Sequence, residues 1–186
     1  MSGPIRIVRG FPPPPAQVRQ ALTTLTILRG GDPDAIAELG DIGDLPRPWD
    51  PATCPPTLRQ QVWLWCDDVA GWINRQYSWR PASLIPACWP RHPHLASELP
   101  VLACLRDAAG GTSPELLEEW HRHTLPLFLD RLAGRLGEST CRTGKHQDWP
   151  AAGRYDTYTS QAATTERHDL FHADTHPPRR LRPAGT

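Results

Sequence analysis

Cysteine and histidine fall close together twice in this chain. In CWPRHPH, residues 88–94, Cys88 precedes His92 by four positions; in CRTGKH, residues 141–146, Cys141 precedes His146 by five. A structural zinc ion takes four thiolate or imidazole donors in a tetrahedron. Two short clips suit it, because each is local and only their joining costs loop entropy. Cys88, His92, Cys141 and His146 are therefore the candidate metal ligands, with zinc as the candidate cofactor. Pro90 and Pro93 forbid a helix through the first clip, which reads as a loop entering a helix. Thr143 and Gly144 make the second a tight reversal. The spacing departs from familiar finger patterns, and His94, His121 and His123 are rival donors. A simpler reading makes Cys88 a small core residue and His92 a helix cap ahead of Pro93.

Other residues invite chemistry less strongly. WHRH places His121 and His123 within a helix, where one must face further inward, and an inward histidine is usually a hydrogen-bonded core residue. In RHDLFHADTH, His168, His172 and His176 would share a face if helical, beside Asp169 and Asp174. A metal held there with an open position would activate water. Asp67 and Asp68 diverge by about 100° on a helix and read as a solvated face. Phosphate loop, nucleophile elbow, HExxH, dinucleotide fingerprint and basic recognition helix are all missing, which argues against an enzyme.

The elements that must position the clips are helical. TLRQQVWLWCDDVAGWINRQY, from Thr57, repeats Leu58, Val62, Cys66, Val69, Ile73 and Tyr77 at three- and four-residue steps, with Gln60, Asp67 and Asn74 on the opposite side. Thr57 and Gln60 have the form of a capping box. A second helix is expected from Pro93 with Leu95, Leu99, Leu102 and Leu105 as its stripe, bent at Pro100. A third starts from Ser113 and Pro114 and runs to Gly137, kinked or split at Pro126. Upstream, Val18, Leu22, Leu25 and Leu28 make one short helix after FPPPP, residues 11–15, which is a stiff spacer. Residues 32–40 add a turn. The run at 41–56 holds too many breakers for regular structure, and IRIV at 5–8 is the one β-like run. Beyond Trp149 the chain is polar and small, and is expected to be mostly disordered. The fold class is all-α: a small irregular bundle of three long helices with short N-terminal helices and a flexible C-terminal tail. The expected organisation is an arm at 1–48, a helical core at 49–149 and a tail at 150–186.

Composition narrows the function classes. Among 186 residues, 20 lysines and arginines balance 20 aspartates and glutamates, so no global field draws in nucleic acid or an anionic membrane. Five scattered cysteines suit reduced thiols in a cytoplasm rather than a disulfide framework. No N-terminal apolar run resembles a signal peptide and no stretch is apolar enough to span a bilayer. The eight tryptophans are many for this length. Trp63, Trp65, Trp72, Trp79, Trp89 and Trp120 are expected mostly in the core, with Trp63, off the main stripe, available to a second surface such as a partner protein.

CWPRHP, WHRHTLP and CRTGKH together resemble an actinobacterial family, domain of unknown function 4913, over about 70 residues. There a Cys and Trp precede a His-Pro, a Trp and His recur in the next helix, and a Cys with a following His closes the domain. Pro90 stands where a second tryptophan is usual. The resemblance implies a role around plasmids, phages or conjugative elements of high-GC bacteria, and singles out Cys88, His92, His123, Cys141 and His146. Three readings follow. The first is a noncatalytic helical module that binds another protein, held by zinc. The second is a metal-dependent hydrolase or nuclease, and the third a DNA-associated regulator whose PPRRLRP tail grips phosphate.

Overall fold

The computed structural model describes residues 8–31, 33–39, 42–148 and 151–176. The run at 5–8, apart from Val8, and the PPRRLRP tail lie outside them. The chain divides into two units, Met1–Gln147 and Asp148–Thr186. Among the described residues there are eight α-helices: α1 (Ala16–Arg29), α2 (Pro33–Leu39), α3 (Pro56–Gln76), α4 (Pro93–Thr112), α5 (Pro114–Glu119), α6 (Leu125–Leu136), α7 (Ala152–Thr159) and α8 (Gln161–Thr175). They contain no strand, so the protein is all-α. None of the helices is long and apolar enough to cross a membrane.

The core of the first unit grows from α3, whose Leu58, Val62, Trp65, Cys66, Val69, Trp72 and Ile73 are buried. Leu95, Leu99 and Leu102 of α4 and Phe128, Leu132 and Leu136 of α6 close on it. Each such side chain contributes about 1.5–3 kcal/mol by leaving water. Helix α1 packs on this core: its Val18, Leu25 and Leu28 are buried, and Val18 joins the α3 core. The breaker-rich stretch at 47–54 is also packed, with Pro48 and Cys54 buried and Cys54 Sγ 3.4 Å from the Arg47 carbonyl. Glu98 of α4 ties down α6 through Arg131, at 3.0 Å, and Arg135. Despite the desolvation that opposes ionisation, those guanidiniums hold its carboxyl below the usual range.

Several expectations need correction. The third long helix is three pieces: α5, a π turn over Trp120–Thr124, and α6. Pro126 has no N–H, and its ring would strike the carbonyl four residues back. The wider turn, in which Leu125 N–H reaches the Trp120 carbonyl, relieves that conflict. No capping box forms at α3, because Pro56 starts the helix one residue early and leaves Thr57 inside it. Past Leu102 the buried face of α4 continues through Cys104 and Ala109, and Leu105 is exposed. Trp79 is 94 % exposed instead of buried. Trp63 does stand off the main stripe, half-buried against Trp89 at 6.0 Å.

In the second unit, where polar composition argued for disorder, α7 and α8 form. Ser160 caps α8 by accepting the Ala163 N–H at 3.3 Å. Arg167 lies 4.0 Å over the Tyr158 ring, linking the two helices. None of the α8 side chains described is buried.

Candidate metal centre

The first clip sits where a loop turns into α4. Trp89–Arg91 form a 3-10 turn, the Arg91 amide donates to the Cys88 carbonyl at 2.9 Å, and His92 is the residue before Pro93 at the start of α4. Two polar residues of α3 hold this loop. Asn74 grips Ile85 with both ends of its amide, accepting its N–H at 2.8 Å and donating to its carbonyl at 2.9 Å. Asp67 accepts the Trp89 indole N–H at 3.0 Å. The sequence reads Asp67 as part of a solvated face and Asn74 only as opposite the apolar stripe; their seven-residue spacing is the available signal, since it marks one side of a helix.

Replacing Asn74 with alanine leaves two main-chain groups of a buried residue without their partner, at a cost of about 1–3 kcal/mol. The loop then holds Cys88 and His92 less firmly. We expect zinc affinity to fall about tenfold, as for other residues that support ligands. Competition against a chromophoric chelator measures it, and an unchanged affinity would show that the loop needs no such grip.

The second clip follows α6. Thr140–Thr143 form a 3-10 turn that ends at Gly144, whose φ of 83° is left-handed and favours glycine. The reversal binds itself: Thr140 Oγ1 donates to the Lys145 carbonyl at 2.9 Å, and the Gln147 side chain accepts the Thr140 amide at 3.1 Å. The Gln147 amide then donates to Cys141 Sγ at 3.2 Å.

The two clips converge. One ligand atom each from Cys88, His92, Cys141 and His146 lies within 4.8 Å of all the others, and these are the four positions singled out by spacing. His92 Nε2 is 3.4 Å from both Cys88 Sγ and Cys141 Sγ, and His146 Nδ1 is 4.0 Å from Cys141 Sγ. Tetrahedral zinc with its usual bond lengths separates sulfur from nitrogen by about 3.6 Å. The arrangement can therefore hold a metal ion. The simpler reading does not hold: Cys88 is only partly buried, and His92 makes no side-chain cap.

The electrostatics treat the donors differently. Burial pushes the Cys88 thiol up, and the neighbouring Cys141 adds to it. Burial also opposes ionisation of Cys141, but the Gln147 amide, the Ser139 side chain and the Cys88 thiol outweigh it and bring Cys141 below the ordinary thiol range. Desolvation, then the nearby His146, His94 and Arg91, lower His92, which favours the neutral imidazole a metal needs. The remaining thiols belong to a different chemistry. Cys54, Cys66 and Cys104 are buried in the core and raised by desolvation, as inert structural cysteines are.

The rival donors stand outside this group of four. His94 Nε2 is buried without a hydrogen-bond partner, outside the cluster. His121 is the inward member of its pair and shares a hydrogen bond with the Tyr77 hydroxyl at 3.0 Å. His123, which the family resemblance singled out, is exposed and faces Glu119. At the C-terminal end of α8 the His172 and His176 rings stack at 4.4 Å, but among the described residues only the Cys88, His92, Cys141 and His146 group converges. Comparison with protein-family models, curated proteins and solved structures found no match to this chain.

Proposed function

We propose that this chain is a noncatalytic helical module, closed by one zinc ion at Cys88, His92, Cys141 and His146, that binds another protein. The observation that carries the reading is the convergence of those four donors from two loops 49 residues apart in sequence. Four protein ligands complete the tetrahedron and leave no position for water or substrate, as in structural rather than catalytic zinc sites. This weighs against the hydrolase or nuclease reading. A balanced net charge weighs against the DNA-bound one. Binding of a protein is supported by the apolar residues left in water, Trp79 foremost, and by Ile27, Val101 and Leu105 along a cleft between α1 and α4. The resemblance to the actinobacterial family adds the setting, an accessory protein of a mobile element working in the cytoplasm.

The zinc clause is tested by loading the purified protein with cobalt(II) and by measuring its zinc content. One metal per chain is expected, with the ligand-field bands of a tetrahedral site and thiolate-to-cobalt charge transfer, both lost in Cys141→Ser. Absence of a stoichiometric metal, or octahedral cobalt, overturns it.

A further inference from the structure

The segment Arg9–Pro15, RGFPPPP, does more than space the chain. It lies along α3 and is read chiefly through its carbonyls. The Trp72 indole N–H donates to the Arg9 carbonyl at 3.0 Å and the Trp65 indole N–H to the Pro12 carbonyl at 2.9 Å. Arg19 adds a third bond, to the Pro14 carbonyl at 3.1 Å. The two spacings match. Trp65 and Trp72, seven residues apart on a helix, are offset by about 10.5 Å along its axis. Arg9 and Pro12 are three apart, and a polyproline II backbone would offset them by about 9.3 Å, one full turn, with both carbonyls facing the same way. Pro15, at φ −56° and ψ 159°, has that backbone. Phe11 fills the gap between the indoles, edge-on at 6.3 Å from Trp65 and 5.2 Å from Trp72, with the Arg106 guanidinium 5.1 Å from its ring.

Aromatic rings that cradle a proline-rich strand while ring N–H groups bond its carbonyls are a recurring mode of peptide recognition. Proline-rich segments suit it because their backbone is already ordered. Carbonyl recognition also tolerates other sequences of the same shape. Beside the strap, a solvent-open cleft of about 630 Å³ runs between Arg9, Gly10 and Pro12 on one side and Asp68, Gly71 and Arg75 of α3 on the other.

We propose that the Trp65–Trp72 face of α3 is a polyproline II-binding groove, held in cis by residues 9–15 and available in trans to a partner protein carrying an aromatic-Pro-Pro segment. This rests on the protein-binding half of the function proposed above, gives that partner a chemistry, and does not depend on the metal. A strap tethered so closely competes at millimolar effective concentration. Access by the partner is therefore set by how firmly Phe11 holds.

The test is a titration of the full-length chain with fluorescein-labelled RGFPPPP peptide, followed by anisotropy. Phe11→Ala frees the groove and is expected to bind at least about tenfold more tightly than the parent, since the tether no longer competes. Adding Trp65→Phe, which keeps an aromatic ring but removes the N–H, should weaken that binding about fivefold. No saturable binding by folded Phe11→Ala, or equal binding of a proline-free RGFAAAA control, overturns the proposal. Should Phe11→Ala fail to fold, the parent protein is examined by ¹⁵N NMR in a large excess of unlabelled RGYPPPP peptide, whose aromatic ring differs from that of the strap it displaces. Movement of the Trp65 and Trp72 indole resonances but not those of Trp63 and Trp79 supports the groove, and unmoved Trp65 and Trp72 resonances overturn it. Zinc content is measured on the same samples, so a failed groove with full metal loading leaves the zinc site standing.

Discussion

A strong chelator is expected to lower the melting temperature of the first unit by about 8–16 °C. A metal that binds only the folded chain, present at a thousand times its dissociation constant, stabilises by about 4 kcal/mol. In a domain near 150 residues, each kcal/mol moves the midpoint by about 2–4 °C. Cys141→Ser should match the chelator and become insensitive to it. Cys88→Ser combined with Cys141→Ser should cost little more than either alone, because both remove the same ion and the losses do not add. Calorimetry with and without chelator decides the matter, and an unchanged midpoint sinks the structural metal.

The pH dependence has a definite sign. Cys88, raised by burial, must give up its proton to bind zinc, whereas Cys141, lowered by its hydrogen bonds, does so more readily. Zinc affinity therefore rises by roughly tenfold to a hundredfold per pH unit near neutrality, as one to two protons leave per ion bound. The stability that zinc adds is present at higher pH and is lost as the pH falls. His92, with its lowered pKa, stays neutral further into acid than an ordinary histidine and is not the first ligand to let go.

Trp120→Ala is the second change with a large expected effect, about 3–5 kcal/mol. Trp120 is 2 % exposed, begins the π turn, and packs against Trp72 at 6.2 Å and Tyr77 at 5.9 Å. Its ring also lies 5.5 Å from the Arg106 guanidinium, whose Nε is buried without a hydrogen bond and relies on these aromatic faces. Truncation opens a cavity and deprives that cation of part of its setting. The urea midpoint should fall with an unchanged slope. Trp79→Ala, at a fully solvated position, should stay within about 0.5 kcal/mol of the parent. Equal midpoints for the two variants would contradict the packing described here.

What the sequence discloses depends on how local the cause is. The candidate ligands were legible because each clip lies within six residues or fewer, and because Pro90, Pro93 and Gly144 constrain the backbone whatever surrounds them. The helices of α3 and α4 were legible from their stripes. Asn74 and Asp67 were not, since a polar residue bound to a distant loop has the same spacing as one bound to water. Trp79 was misplaced for the converse reason: a large ring favours burial, but its position just beyond α3 leaves it nothing to pack against. At α3 two local signals competed, and Pro56 as a helix start overrode the Thr57 and Gln60 cap. Helices α7 and α8 were missed because low apolar content argues against a packed core and says less about whether a helix forms.

The π turn also sets a phase. Successive residues of an α-helix are rotated by about 100°, and one surplus residue in a single turn shifts everything after it by roughly that angle. Phe128, Leu132 and Leu136 meet the core in the orientation this offset gives them, and Cys141 follows five residues after Leu136. Excising one residue from Trp120–Thr124 would regularise the spiral and yet swing that stripe sideways, carrying the second pair of ligands out of line with the first. The surplus residue thus works as a vernier: a fault in one helix that aims a sulfur atom some twenty positions downstream.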